Sequence, residues 1–239
     1  MGEQLGRIEK PAAEGFRESK KVYLVPLVYL SDEAPPTYKE KCERYWQQVA
    51  EQLAKLEGKI GKVRWVYHES VSQSGEDGMK VVERASPGSY EIVKGKCDQG
   101  AVFEAIEDKE ILEETMDWER CLLLGFMSQT VAGKVFEFYG EASSKRYELM
   151  AKRISETLHD KEAGLLFIRE GHRLQFPEDI EVFSVFPPAL DEIHRWVRDQ
   201  AREAREEPAA GDEEPTTGPE ESEAEGEKEA ETQQGEAKD

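Results

Sequence analysis

Two short polar clusters, each directly after a predicted strand, contain the residue types that acid–base and metal chemistry use. Residues 68–70 read His-Glu-Ser, and residues 169–173 read Arg-Glu-Gly-His-Arg. The carboxyl ends of neighbouring parallel strands meet at one edge of a sheet, so we expect Glu69 and His172 to converge there. A carboxylate and an imidazole so placed can bind a divalent metal, or act as a base and the group that orients it.

A simpler interpretation of both clusters is a pair of solvated loops, in which Gly171 permits a tight turn. Other catalytic signatures are absent from the sequence, among them GxGxxG, GxxxxGK[ST], GxSxG and HExxH. Nucleotide hydrolysis by a P-loop and acyl transfer by a serine triad are therefore poor hypotheses.

The segments before and after these clusters alternate between strand-like and helical patterns. Residues 21–30 predict a buried strand, and residues 37–57 carry an apolar stripe at helical spacing. Residues 63–67 predict the next strand, which completes a βαβ unit. The apolar run at residues 163–168 and the segment at residues 180–186 predict two further strands, and a final helix begins after them.

Residues 71–139 give weaker patterns. They predict a short strand at residues 90–93 and two helices, at residues 102–115 and 118–133. Residues 121–124, together with Phe126, are apolar, and we expect them to be buried. Residues 135–139 fit either a helix or a strand.

The order of these elements predicts an α/β fold, a single layered domain with a mainly parallel central sheet flanked by helices. We expect a flexible N-terminal segment at residues 1–19, the α/β domain at residues 20–205 and a disordered acidic tail at residues 206–239. The tail contains 14 Asp and Glu, two Lys and no aromatic residue. Such a segment cannot bury enough apolar surface to offset the entropy lost on ordering.

The acidic tail also dominates the charge of the chain. It accounts for −12 of the formal net charge of −20, which leaves −8 for the rest. That balance argues against direct binding to nucleic acid, which needs a basic surface. The tail suits a basic protein partner, such as a ribosomal or nucleic-acid-binding protein, and a solubilising extension is the simpler alternative.

The cysteines and the apolar runs limit which kinds of protein the sequence fits. Cys42, Cys97 and Cys121 form no CxxC pair, so neither a disulfide framework nor a zinc ribbon is indicated. No signal-peptide pattern opens the chain, and no apolar run approaches the roughly 18 residues of a membrane span. We therefore expect a cytoplasmic protein with no membrane partner, and the sequence leaves its oligomeric state open.

Four segments, in their order along residues 21–180, resemble the TraB/Tiki-like superfamily, which is related to the erythromycin-esterase and ChaN proteins. The segments are VYLVPLVYLS, VRWVYHE, RYELMAKRI and LLFIREGH. That superfamily has a strand ending in GxxH, a strand ending in Glu, a helix with Arg and Met, and a strand ending in Gly-His. The matching residues here are Glu69, Arg146, Met150 and Gly171-His172.

Two motifs depart from that pattern. Residues 26–29 read Pro-Leu-Val-Tyr where the superfamily has GxxH, and Arg169-Glu170 stands before Gly171-His172 where the superfamily has small residues. Members are regarded as metal-dependent hydrolases or peptidases. The resemblance implies Glu69, Arg146 and His172 as catalytic residues, with Glu69 and His172 as ligands of a divalent metal and Tyr29 in place of a lost ligand. The lost histidine implies a divergent, non-catalytic relative.

Three functions follow from these observations. The missing motifs, the lost histidine and the acidic tail favour an α/β protein that acts by binding, as a non-catalytic relative of metal-dependent hydrolases. The first alternative is a metal-dependent hydrolase or peptidase that uses Glu69, Arg146 and His172. The second is a ribosome- or translation-associated factor that acts through its tail.

Overall fold

The computed structural model describes residues 16, 18–31 and 33–206. Its strands and helices follow one another as β1 (Lys20–Pro26), α1 (Pro36–Ile60), β2 (Val63–His68), α2 (Gly75–Ala85), α3 (Pro87–Asp98), β3 (Val102–Phe103), α4 (Lys109–Leu123), α5 (Gln129–Thr157), β4 (Ala163–Ile168), β5 (Ile180–Ser184) and α6 (Pro188–Glu206). The chain divides after Gln200 into two units, and the described part of the second, residues 201–206, is helical. None of the described helices is both long enough and apolar enough to cross a bilayer.

The five strands form one sheet in the order β3-β2-β4-β1-β5, and every neighbouring pair is parallel. The predicted α/β fold with a parallel central sheet is confirmed. Strand β4 lies at the centre and is buried along its whole length. Helices on both faces exclude water from such a strand, and this is why its sequence, AGLLFI, is continuously apolar.

Alternate residues of β4 face two separate hydrophobic clusters. Leu165 and Phe167 pack in the cluster formed with α1, α2, α3 and α6, whereas Leu166 and Ile168 pack in the cluster formed with α5. Successive side chains of a strand point to opposite faces, so the two clusters lie on opposite sides of the sheet. The fold therefore has three layers, with α5 covering one face of the sheet.

Two expectations for the middle of the chain are wrong. Residues 90–93 lie in α3 and form no strand, and Val102–Phe103 is the edge strand β3 where a helix was expected. Helical structure begins only after Asp108, whose carboxylate accepts hydrogen bonds from the backbone N–H groups of Glu110 at 3.0 Å and Ile111 at 3.2 Å. Such an N-cap marks the first turn of a helix.

The helix expected over residues 118–133 is interrupted between α4 and α5, while residues 135–139 are helical. Gly125 follows the end of α4 with a φ of 71°, a left-handed conformation that commonly ends helices. The chain turns at this point, away from the hydrophobic clusters. As a result Leu123 and Leu124, expected to be buried, are largely exposed.

Candidate functional site

The carboxyl ends of β2 and β4 bring the two polar clusters together. Because the two strands pair in parallel, Glu69 and Arg169 each follow directly after neighbouring strands. The N–H of Glu69 extends the ladder by donating to the carbonyl of Phe167 at 2.9 Å. The Glu69 carboxylate accepts from Arg169 twice, from the backbone N–H and from Nε, both at 2.6 Å.

Arg146, from the second half of α5, joins Glu69 to a second buried carboxylate, Glu107. Its guanidinium donates to Oε1 of Glu69 at 3.2 Å and, through Nε, to Oε2 of Glu107 at 2.9 Å. A further N–H of Arg146 contacts Oε1 of Glu107. The backbone N–H of Ser70 also donates to Glu107, at 3.0 Å. The structure therefore joins Glu69 and Arg146 in one hydrogen-bonded network, of which His172 is not a part.

The network is buried, and its charges compensate one another. The side chains of Glu69 and Glu107 are fully buried, and that of Arg146 is 3% exposed. Burial alone would lower the pKa of Arg146, but the hydrogen bond and charge of Glu107, with the charge of Glu69, raise it. Burial would likewise lower the pKa of Arg169, and Glu69 and Glu119 raise it. Both arginines therefore stay charged and neutralise the carboxylates around them.

His172 lies beside this network without joining its hydrogen bonds. It follows Gly171, whose φ of 72° turns the chain after β4. Nδ1 of His172 accepts from the backbone N–H of Leu174 at 3.2 Å, and in the described part of the chain Nε2 has no partner. Burial lowers the pKa of His172, and the nearby charge of Glu69 offsets part of that effect. The two residues expected to share a metal are thus neighbours that bond to different partners.

Two phenols stand at the border of the network. Tyr29 follows β1 at the same edge of the sheet, and partial burial of its hydroxyl and then the charge of Glu69 raise its pKa. Tyr147 lies next to Arg146 on α5, and its ring centroid is 5.9 Å from the guanidinium carbon of Arg146. Burial and then Glu69 raise the pKa of Tyr147 as well. Both phenols therefore remain protonated near neutral pH.

The donor set around Glu69 does not fit a divalent metal. Three N–H groups of Arg146 and Arg169 already bond to its two oxygens, and their positive charges repel a cation. Across residues 16, 18–31 and 33–206, no group of three or more His, Cys, Asp or Glu side chains is placed to hold a metal ion. No reaction step through a metal follows from this arrangement.

The sequence patterns miss Glu107, which lies in a connection between β3 and α4. They predict a helix at residues 102–115, and this places Glu107 on a helix surface far from any strand end. Asp108 is the signal that could have found it, since an Asp before a helical pattern marks the residue where a helix begins. With the helix starting after Asp108, Glu107 is left in the loop at the carboxyl edge of β3.

His68 is buried against α3 and Phe167, and Glu69 is fully buried, so the interpretation of their cluster as a solvated loop is wrong. Its Nδ1 lies 2.7 Å from the carbonyl oxygen of Glu69, and its Nε2 lies 3.1 Å from Oγ of Ser89. A carbonyl only accepts, so the proton is assigned to Nδ1 and Nε2 accepts from the hydroxyl. The ring also stacks on Phe167, with centroids 5.6 Å apart. Burial lowers the pKa of His68 to about 4.

The buried His68 should make the fold sensitive to mild acid. Its pKa is about 4 in the folded chain against an ordinary value of 6.5. Between these pH values the unfolded chain binds a proton that the folded chain does not, so the free energy of unfolding should fall as the pH falls, by up to about 3 kcal/mol. Below pH 4 both states bind the proton and the loss is complete.

Urea-induced unfolding measured across this pH range tests the expectation. A His68→Gln variant, which cannot titrate there, should show a smaller decrease in unfolding free energy than the unchanged chain. Equal pH dependence of the two proteins would contradict the assignment of a neutral, buried His68.

A cavity of about 450 Å³ opens beside the network, between α5 and the loop after β4. Its polar lining consists of Ser143, Ser144, Tyr147, Glu148, Arg173 and Gln175. Small residues on α5, Gly140 and Ala151, leave the space open. Arg173 is exposed at this cavity, and no carboxylate of the described residues pairs with it.

Comparisons of the chain with protein-family models, with curated protein sequences and with solved structures found no match. The resemblance to the TraB/Tiki-like superfamily therefore stays a prediction. The expected contact between the acidic tail and a basic partner falls on residues 207–239, which lie outside the described residues.

Proposed function

We propose that this α/β protein acts by binding, and that its ligand occupies the cavity beside the carboxyl edge of the sheet. The observation that carries the proposal is the saturation of the network. Glu69 and Glu107 are fully buried, and their oxygens accept N–H groups from Arg146, Arg169 and Ser70. Such a network holds the elements around the cavity in place and leaves the ligand contacts to other side chains.

The same observation argues against the hydrolase alternative. A general base needs a lone pair within reach of the substrate proton. The carboxylate of Glu69 lies below the surface with both oxygens engaged by arginines. His172 has one free nitrogen, but its Nδ1 accepts from a backbone N–H, so no carboxylate orients the ring as a base.

The lining of the cavity supports a small polar ligand with an anionic group at Arg173, and the carboxylate of Glu148 in the same lining favours a ligand that also carries a hydrogen-bond donor or a positive charge. Its volume of about 450 Å³ falls within the range of roughly 300–1,000 Å³ that is usual for small-molecule sites. The guanidinium of Arg173 presents a planar fork of N–H donors, which matches a carboxylate or a phosphate. Tyr147 and Gln175 add neutral hydrogen-bonding groups to the same cavity.

The position of the network supports a divergent, non-catalytic relationship to the TraB/Tiki-like hydrolases. Glu69, Arg146 and His172 lie near one edge of the sheet, and Tyr29, at the position where the superfamily has the histidine of its GxxH motif, lies near Glu69. In this proposal the residues remain as structural support after the loss of the metal.

Isothermal titration calorimetry with inorganic phosphate, and separately with succinate, tests the proposed ligand class. We expect saturable binding of at least one of these anions. Arg173→Gln should weaken it by about tenfold or more, since a charge-assisted bidentate contact is lost. Arg198→Gln is the matched control, because Arg198 is an exposed arginine on α6, and it should leave binding unchanged.

Three results would overturn the proposal. Failure of both anions to bind, or equal weakening by Arg198→Gln, removes the argument for an anion site at Arg173. A divalent metal retained in stoichiometric amount by the purified chain, and lost in His172→Ala, favours the hydrolase instead.

A further inference from the structure

Helices α4 and α5 form a hairpin whose turn lies away from the hydrophobic clusters of the sheet. The two helices contact each other and are joined by only five residues, 124–128. Near the turn the rings of Trp118 and Phe138 pack together, with centroids 5.0 Å apart. None of the hairpin residues from 116 to 131 belongs to the buried clusters that cover the sheet. The hairpin tip is therefore held by its own internal packing.

The tip of this hairpin exposes large apolar side chains next to one another. Leu123 is 83% exposed, Leu124 is 80% exposed, Met127 is fully exposed and Val131 is 47% exposed. We call these four residues the tip patch. They come from the last turn of α4, the connecting loop and the first turn of α5, so they lie close together in space.

The tip patch is large enough to form the apolar centre of an interface. Four such side chains expose on the order of 500 Å² of apolar surface, near the upper end of the roughly 300–600 Å² that monomeric proteins leave uncovered. A standard interface takes about 800 Å² from each partner, of which about 56–65% is apolar. The apolar part of such an interface is therefore about as large as the tip patch.

The charge pattern around the tip patch is unlike that of the rest of the chain. The chain contains 52 Asp and Glu among 239 residues, yet residues 121–136 contain none, and Lys134 is the only charged residue among them. Two copies of an acidic protein repel each other wherever their acidic surfaces meet. At the hairpin tip they can approach without that cost.

We propose that the tip patch is a self-association surface, on which two copies of this chain pack against each other around a twofold axis. A twofold contact joins the same patch on both copies, so a single apolar patch is sufficient. Packing two hairpin tips in this way covers both patches at once. A lipid surface is a poorer occupant, since residues 121–136 contain a single basic residue, Lys134, where membrane-binding surfaces cluster several Lys or Arg.

Analytical ultracentrifugation of the full chain over a range of micromolar concentrations tests the proposal. The mass should rise with concentration from 27.2 kDa towards that of a dimer. Leu124→Glu places a charge in the patch and should weaken the dimer by at least about tenfold. Since Leu124 is exposed, this variant should fold, and circular dichroism melting checks that it does.

The matched control is Val197→Glu, which adds the same charge at an exposed apolar residue of α6 and should leave the dimer intact. A chain that stays monomeric, a dimer that survives Leu124→Glu, or equal weakening by Val197→Glu would each overturn the proposal. If the chain is monomeric and sediments with phosphatidylcholine vesicles, and if Leu124→Glu abolishes this sedimentation, the patch binds lipid instead. Anion binding at Arg173 is a separate property and is unaffected by any of these results.

Discussion

Replacing Arg146 with methionine should destabilise the fold by about 3–5 kcal/mol, because the buried Glu107 would lose its cationic partner and the buried Glu69 would keep only Arg169. Both carboxylates are fully buried, and Arg146 is the side chain that hydrogen-bonds to both. Thermal unfolding should shift down by roughly 6–20 °C, given about 2–4 °C for each kcal/mol in a domain of this size.

Arg120→Met is the matched control for this prediction. Arg120 also pairs with a carboxylate, that of Asp117 at 2.7 Å, but the pair is mostly exposed. Exposed pairs contribute about 0–1 kcal/mol, so the control should unfold nearly as the unchanged chain does. Adding Glu107→Gln to Arg146→Met should recover part of the loss. The free energy of unfolding of each variant is measured in urea. If Arg146→Met and Arg120→Met differ by less than about 1 kcal/mol, the ion network does not stabilise the fold.

Gly78→Ala should cost about 3 kcal/mol or more, because the new methyl group has no space. A Cβ at Gly78 would lie 2.0 Å from the carbonyl oxygen of Gln73 and 2.5 Å from Cε1 of Phe103. The carbonyl belongs to the backbone and cannot rotate away as a side chain does. Helix α2 would therefore have to move from β3 and from the chain segment that follows Glu69.

Gly95→Ala, in the neighbouring helix α3, should have the opposite effect on stability. Apart from its chain neighbours and the backbone of its own helix turn, no atom of the described residues lies within 4 Å of a Cβ at Gly95, which is part of α3. Alanine is favoured over glycine inside helices by about 0.5–1 kcal/mol, so this variant should be slightly more stable. Thermal and urea unfolding of the two variants should move in opposite directions. A similar change in both would mean that the space around Gly78 is not limiting.

The helical and strand patterns with the strongest period were predicted well. Helix α1 and strand β4 match their expected residues closely, because an amphipathic stripe or a fully apolar run is written into consecutive side chains. The short strand β3 was missed, since two residues cannot show a period. The edge at which Glu69 and His172 lie was also predictable, because parallel strands place their carboxyl ends on one side.

The fold class and the set of residues at one edge of the sheet follow from local residue patterns. Which of these residues bond to each other depends on how the chain packs. Glu69 pairs with Arg169, 100 residues away, and Arg146 pairs with Glu107, 39 residues away. Local patterns carry no information about such partners. In the strand order β3-β2-β4-β1-β5, the strand β4 comes late in the sequence but lies between β1 and β2, so residues distant in the chain become neighbours. Leu123 and Leu124 are apolar whether buried or exposed, so only the direction of the hairpin decides that they face outward.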